Sequence, residues 1–187
     1  MIRAFIAVDL DPQVIERIYS AVDDLKARIP AIRWLPKTNL HLTLKFLGNV
    51  EETQIDPLIA VLQEQLRPFP RCTINAKGLG VFPDLRRPKI LWVGLAGSGL
   101  IQLAAKVELS LLPFGFAPEK RPFTPHLTIG RWRQFDRPPK TLGQELESRR
   151  DFEFGTCTVE QIILFQSVLK PEGATYCQLT TVQLGNE

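Results

Sequence analysis

The sequence is poor in the side chains that most often bind metal ions. Among 187 residues there are only two histidines and three cysteines. Cys72, Cys157 and Cys177 form no C-x-x-C pair, which argues against a zinc knuckle and against a disulfide framework. We therefore expect reduced thiols. Neither histidine lies in a cluster of carboxylates that would hold a metal, so we expect no metal and no cofactor.

Long apolar runs are also missing. No run approaches the roughly 20 residues that a helix needs to span a bilayer. The first residues, MIRAFIAVD, contain an apolar stretch that is too short for a signal peptide and reach an acidic residue too early. The composition, 44% hydrophobic and 23% charged, is typical of a globular protein. We expect a cytoplasmic monomer with no membrane partner, whose net charge of +3 is compatible with an anionic ligand without requiring one.

Hydrophobic patterns predict a mixed chain. Apolar residues at helical spacing predict helices within 14–29, 55–66 and 100–111, with a short helix around 140–149. Alternating segments predict strands between them, the last two at 158–169 and 174–184. Because several strands are neighbours in sequence, the sheets should be mainly antiparallel. The sequence therefore predicts the α+β class, with residues 1–187 forming a single two-lobed domain.

Both histidines lie in the same tripeptide, His-Leu-Thr, at 41–43 and at 126–128. Composition places Leu-Thr after a given histidine on the order of one time in a hundred, so the repetition is informative. On a strand, residues i and i+2 share a face. His41 and Thr43 then share one face, and His126 and Thr128 repeat the arrangement. We expect a pseudo-symmetric pair of lobes that carry one motif each and face a central cleft.

Two imidazoles and two hydroxyls in one cleft suit the cleavage of a phosphodiester. The reaction needs a base that takes a proton from the nucleophile and an acid that protonates the leaving oxygen. Imidazole serves both roles near neutral pH, because its ordinary pKa is about 6.5. Threonine hydroxyls donate to phosphoryl oxygens, and an arginine stabilises the charge that develops there.

The segments around the tripeptides, RWLPKTNLHLTLKFLGNV and RPFTPHLTIGR, closely resemble the two signature blocks of the 2′–5′ RNA ligase family. Its members are also called RNA 2′,3′-cyclic phosphodiesterases and belong to the two-histidine phosphoesterase superfamily. The likeness extends from RAFIAVDL through RRPKILWVGL to GATYCQL. It implies a bilobal fold with two mainly antiparallel sheets facing a central cleft and helices outside. It also implies metal-independent hydrolysis of a 2′,3′-cyclic phosphate RNA end to a 2′-phosphomonoester.

The resemblance implies roles for particular residues. His126 would be the base for water and His41 the acid for the 3′ oxygen, although the symmetry of the motifs makes these roles easy to exchange. Thr43, Thr128 and Arg131 would bind the phosphate. Strict alternation, however, puts Arg131 on the Leu127 face, away from His126, unless a bulge near Gly130 turns it.

The remaining motif residues have two readings each. Phe46 is expected in the core by alternation, or else stacks on a base as a substrate-binding residue. Lys45 should share the face of His41 and either meets an RNA phosphate or is solvated. Trp34 and Trp132 are more often packing residues than stacking platforms. The basic turn 86–89 is either a solvated turn or a phosphate-contacting rim.

The expected partner is RNA that ends in a 2′,3′-cyclic phosphate, with tRNA halves as one source, or small cyclic nucleotides. Two alternatives stay open at this point. One is 2′–5′ RNA ligation at the same site, with a 5′-hydroxyl replacing water. The other is a module that binds an RNA end or a nucleotide without turning it over.

Overall fold

Strands and helices alternate along residues 1–30, 32–133, 136–171 and 173–185, the part of the chain that this computed structural model describes. The strands are β1 (Ile2–Val8), β2 (Ile32–Trp34), β3 (Leu42–Val50), β4 (Cys72–Phe82), β5 (Ile90–Ala96), β6 (His126–Trp132), β7 (Glu153–Val159), β8 (Gln161–Lys170) and β9 (Gly173–Gln183). The helices are α1 (Pro12–Lys26), α2 (Glu52–Leu66), α3 (Leu100–Leu111) and α4 (Leu142–Glu147).

The predicted order of elements is confirmed except near the C-terminus. The segment predicted as one strand at 158–169 is divided between β7 and β8, which are separated by Glu160 alone. The pattern hides this break because buried apolar residues, Val159 and Ile162, lie within two positions of Glu160 on either side.

Helix α1 shows how local sequence fixes these elements. The Asp11 side chain accepts a hydrogen bond from the Gln13 amide at 2.7 Å, and Pro12 follows it in the first helical turn. The apolar positions Val14, Ile18 and Val22 are then buried at helical spacing. The helix therefore begins at a polar cap and is held by one apolar face.

The strands form one curled sheet in the order β7-β4-β5-β6-β3-β1-β8-β9, with β2 paired to β6. All strand pairs in this order are antiparallel. The α+β class is confirmed, and the two expected sheets correspond to the two halves of this order. One half, the first lobe, contains β3, β1, β8 and β9. The second lobe contains β7, β4, β5 and β6.

The two halves are joined by a single residue pair, Leu42 in β3 opposite Leu127 in β6. Both leucines are fully buried. They occupy the same place in the two His-Leu-Thr tripeptides, so the two motif strands meet at equivalent residues. An antiparallel pair of strands has a local two-fold axis at such a point, and the axis relates one motif to the other.

The helices cover one face of the sheet, and two of them pack across the lobes. Helix α1 follows β1 of the first lobe but packs on β7 of the second, where Val14 and Arg17 lie against Gly155. Helix α3 follows β5 of the second lobe and packs on β3 of the first as well as on β4 of its own lobe. Each lobe is thus completed by a helix from the other, which ties the lobes together.

None of the helices in the described ranges is both long and apolar enough to cross a membrane.

Truncating Leu127 to alanine should cost about 2 to 5 kcal/mol of unfolding free energy, because the side chain is fully buried where the lobes meet. The matched control is Leu169→Ala, also in a strand but 68% exposed, which should cost less than about 0.5 kcal/mol. Urea unfolding of both variants measures the difference. Equal losses would show that the Leu42–Leu127 contact does not hold the lobes.

Candidate active site

The pairing of Leu42 with Leu127 decides which side chains meet. Because the leucines point into the core beneath the helices, their neighbours in each strand point to the opposite side, which we call the cleft face. Extending the antiparallel register by one residue sets His41 opposite Thr128 and Thr43 opposite His126. All four are half-buried. Each histidine therefore lies beside the threonine of the other motif.

A β-bulge interrupts each motif strand at the same position. In β3, Thr43 and Lys45 pair with Ala7 and Ile6, so Leu44 is the extra residue. In β6, Thr128 and Gly130 pair with Trp92 and Leu91, so Ile129 is the extra residue. A bulge shifts the alternation by one residue. The residues that follow therefore lie on the opposite face from the one that strict alternation predicts.

The bulges bring Phe46 and Arg131 to the cleft face. Phe46 is 62% exposed, and its ring lies 6.0 Å from that of Phe5, which in turn contacts His41. The expectation of a core position for Phe46 is therefore wrong. Arg131 is exposed, and its positive charge acts on His41. The bulge before Gly130 resolves the conflict between alternation and the expected place of this arginine.

His41 is enclosed by aromatic rings. Phe5 lies 4.8 Å from it between ring centroids, Tyr176 meets it edge-on at 5.1 Å, and Phe165 lies at 6.0 Å. A ring nitrogen also donates a hydrogen bond to the backbone carbonyl of Asn39. This bond fixes the tautomer, since a carbonyl can only accept, and leaves the other ring nitrogen for chemistry.

Burial lowers the pKa of His41 to about 4, because the imidazolium loses hydration among these rings. The positive charge of Arg131 lowers it further, whereas the hydrogen bond to Asn39 opposes both effects. In the free protein at neutral pH, His41 is therefore uncharged.

His126 has a similar setting in the second lobe. Its Nδ1 lies 2.7 Å from the backbone oxygen of Thr124, two residues earlier, as Asn39 is two residues before His41. Because the carbonyl can only accept, Nδ1 carries a proton, and Nε2 is the ring nitrogen that remains for proton transfer. Phe82 meets the ring edge-on at 5.0 Å, and Trp92 lies at 6.5 Å.

Lys45 does not lie where alternation predicts. It is 4% exposed on the helix-covered face, where its Nζ donates to Glu108 Oε1 and to the Ala117 oxygen, both at 2.7 Å. Glu119 lies 3.5 Å away. Both earlier readings of Lys45, an RNA phosphate contact and a solvated side chain, are therefore wrong. It ties β3 to the segment that leads into β6.

The aromatic walls were missed by sequence reasoning, as were the two carbonyls that orient the histidines. Phe5, Phe82, Phe165 and Tyr176 come from four different strands, and no spacing in the sequence connects them. A backbone carbonyl has no sequence signature at all. The one usable signal was Pro125, which restricts Thr124 to an extended conformation just before His126.

No group of three or more His, Cys, Asp or Glu side chains suited to a metal ion occurs among the residues with described positions. Their three cysteines are free thiols.

Replacing Lys45 with alanine should cost about 3 kcal/mol of unfolding free energy, because it removes the positive partner of Glu108, which then keeps only the Glu119 amide as a donor, and the donor of the Ala117 carbonyl. Lys45→Met keeps the apolar stem and should lose less. The control is Lys77→Ala, whose ion pair with Asp151 is exposed and worth about 1 kcal/mol or less. Denaturant melts rank the three variants. A Lys45→Ala loss no larger than that of Lys77→Ala contradicts the assignment.

The His41 ring should titrate with a midpoint of about 4 in the free protein. With only two histidines, the NMR spectrum contains two ring signals, and His126→Asn assigns them by removing one. Arg131→Gln should raise the midpoint, since a positive charge is removed, but not to 6.5, because burial is the larger cause. A wild-type midpoint near 6.5 would exclude a desolvated His41.

Comparison with known proteins identifies the family. The sequence model of the LigT-like phosphoesterases matches residues 8–92 and again residues 93–176. The RNA 2′,3′-cyclic phosphodiesterase of Aquifex aeolicus is 36% identical over 191 residues, covering 99% of this chain and 98% of that protein.

Two solved structures have the same fold over almost the whole chain. The protein TT0787 of Thermus thermophilus superposes with a TM-score of 0.83 at 25% identity and covers 99% of each chain. Escherichia coli LigT complexed with 3′-AMP superposes with a TM-score of 0.74 at 26% identity and covers 98% of each chain. With the two paired motifs and these matches, the chain belongs to the LigT-like phosphoesterase family.

Proposed function

We propose that this protein is an enzyme that hydrolyses the 2′,3′-cyclic phosphate at an RNA 3′ end to a 2′-phosphomonoester. The observation that carries the proposal is the meeting of the two His-Leu-Thr motifs at Leu42 and Leu127, with all four polar side chains on the cleft face. The name of the Aquifex aeolicus relative, an RNA 2′,3′-cyclic phosphodiesterase, supports the same reaction.

The cyclic phosphate would lie between the two motifs. Thr43 and Thr128 donate hydrogen bonds to its non-bridging oxygens, and Arg131 offsets the charge that develops on them. Phe46, exposed beside Phe5, offers a face on which the terminal base stacks. These groups hold the phosphorus in line between the two imidazoles.

The proposed reaction is a single displacement at phosphorus. His126 takes a proton from water through Nε2, and the water oxygen bonds to phosphorus. The bond from phosphorus to the 3′ oxygen breaks, and His41 gives that oxygen a proton. The products are a 2′-phosphomonoester and a free 3′-hydroxyl, and no step requires a metal ion.

His41 must be protonated before it can act as the acid. Its pKa of about 4 leaves it neutral in the free protein at neutral pH. A bound phosphate anion favours the imidazolium and raises this pKa, so protonation would be coupled to substrate binding. The opposite assignment, with His41 as base and His126 as acid, needs no such coupling at His41. A substrate whose leaving group needs no proton distinguishes the two assignments.

The chain is further proposed to be one two-lobed domain over residues 1–187, acting as a monomer in the cytoplasm. The packing of α1 and α3 supports a single domain, since each of these helices packs on a strand of the lobe opposite to the one it follows. The three free thiols suit a reducing compartment.

Replacing either histidine with alanine should lower the rate of hydrolysis of a 2′,3′-cyclic-phosphate RNA by about 10²- to 10⁴-fold, because each supplies one proton transfer. Chromatography of the products measures the rate and shows whether the phosphate remains at the 2′ position. Thermal melting controls for folding, and EDTA should leave wild-type turnover intact. Full activity in both single variants would rule out the two-histidine mechanism.

A sulfur-substituted substrate separates the two roles. When sulfur replaces the 3′ oxygen, the leaving thiolate is stable without a proton, because a thiol has a pKa of about 8.5. This substrate should restore turnover in His41→Ala but not in His126→Ala. Rescue of His126→Ala alone would exchange the two roles while leaving the reaction unchanged.

A further inference from the structure

A second cavity, of about 430 Å³, lies beside the proposed catalytic cleft. Its walls are β2 with the segment that follows it as far as Asn39, the end of β6, the end of β8 and the start of β9. Two of its lining residues also border the cleft. Tyr176 meets the His41 ring edge-on at 5.1 Å, and the charge of Arg131 acts on His41. A ligand that occupies the cleft can therefore continue into this cavity.

The cavity is positively charged. Arg131 lines one wall and Lys170, at the end of β8, lines another. Among the described residues, neither of these two side chains makes an ion pair, and no carboxylate lines the cavity. Thr38 and Thr175 add hydroxyl groups that can donate hydrogen bonds. Cationic side chains surrounded by neutral hydrogen-bond donors suit the binding of a phosphate group.

Arg33 shapes the cavity. It lies directly opposite Arg131 in the pairing of β2 with β6. Its guanidinium rests against Gly173, where a Cβ atom would collide with it. The start of β9 therefore approaches β2 closely enough to close that side of the cavity.

The cavity is also coupled to His41 through one residue. The Asn39 side chain donates a hydrogen bond at 2.8 Å to the backbone oxygen of Ala174, at the start of β9, which forms part of the cavity wall. The Asn39 backbone carbonyl accepts the hydrogen bond from the His41 ring. The cavity wall that would hold the internal phosphate is thus linked to His41, the imidazole that would act on the neighbouring cyclic phosphate.

The position of the cavity limits which phosphate it can take. Arg131 lies three residues after Thr128 on the same strand, at most about 10 Å along it. A cyclic phosphate is the 3′ terminus of its RNA, so any further phosphate of that chain lies on the 5′ side. The nearest is the phosphodiester that joins the terminal nucleoside to the preceding one.

We propose that this cavity binds the phosphodiester on the 5′ side of the terminal nucleoside, with Lys170 as its cationic partner and with Arg131, which has several N–H donors, shared between it and the neighbouring cyclic phosphate. The enzyme then acts on oligoribonucleotides in preference to cyclic mononucleotides. The proposal rests on the proposed function and adds a substrate class to it. In this scheme Lys170 contacts only the internal phosphodiester, so it has no part in binding or converting the cyclic phosphate itself.

The test compares kcat/KM for cytidine 2′,3′-cyclic phosphate with kcat/KM for the dinucleotide CpC that ends in a 2′,3′-cyclic phosphate. The dinucleotide should be favoured by about tenfold or more, as expected for a charge-assisted contact. Lys170→Ala should remove about five- to tenfold of this preference and leave mononucleotide turnover unchanged. Lys26→Ala, an exposed lysine in α1 paired with Asp23, should change neither value.

A substrate-side control avoids any effect of mutation on folding. In a dinucleotide whose internal linkage is an uncharged methylphosphonate, the preference over the mononucleotide should disappear. Equal kcat/KM for the charged and uncharged dinucleotides would overturn the proposal while leaving hydrolysis intact. Absence of turnover with every substrate would instead overturn the proposed function, and this proposal with it.

The phosphate in the cavity could instead belong to the acceptor strand of a 2′–5′ joining reaction. An acceptor RNA with a free 5′-hydroxyl tests this alternative. The wild type and Lys170→Ala are incubated with cytidine 2′,3′-cyclic phosphate as the donor, which has no internal phosphodiester, and with a 5′-hydroxyl oligonucleotide, and 2′–5′ joined product is measured. Unchanged joining in Lys170→Ala, together with weaker dinucleotide hydrolysis, supports the proposal. Weaker joining with unaltered dinucleotide hydrolysis would assign the cavity to the acceptor strand and overturn it.

Discussion

The contact between Leu42 and Leu127 is the constraint on which the rest of the structure depends. A pair of antiparallel strands is related by a two-fold axis at the midpoint of a residue pair, and here the paired residues hold the same place in two copies of one motif. The register therefore brings each histidine beside the threonine of the other copy. Because side chains alternate between the two faces of a strand, a shift of the β3–β6 pairing by one residue would turn the histidine and threonine of one motif toward the core.

The symmetry of the backbone does not extend to the charges around the two histidines. Each ring is held by a carbonyl two residues earlier and flanked by a phenylalanine, Phe165 or Phe82. After the bulges, however, Phe46 and Arg131 occupy equivalent positions, one aromatic and the other cationic. The arginine acts on His41. A duplicated motif thus gives two chemically identical groups in different fields, which is the usual way in which proteins divide acid and base roles.

Sequence reasoning succeeded where periodicity is regular and failed where it is interrupted. The helices and the duplicated motif follow from local spacing, and so does the common face of His41 and Thr43. Alternation then fails after Leu44 and after Ile129, because each is an extra residue in a β-bulge. A bulge depends on the register of a distant partner strand, which no local pattern reveals. The same reason explains why the aromatic rings around His41, drawn from several strands, could not be predicted.

The two copies also differ in what packs behind the bulge, and this difference accounts for the second cavity. Lys45 and Gly130 occupy equivalent positions on the helix-covered face. In the first lobe the lysine fills the space and needs Glu108 and the Ala117 carbonyl as partners. In the second lobe a Cβ atom on Gly130 would collide with Ile32, because β2 packs there. The glycine therefore admits β2 beside β6, and β2 carries Arg33 to a position opposite Arg131. The basic cavity therefore lies on the side of the pseudo-two-fold axis where the motif strand has a glycine, and the equivalent position on the other side is the buried Lys45.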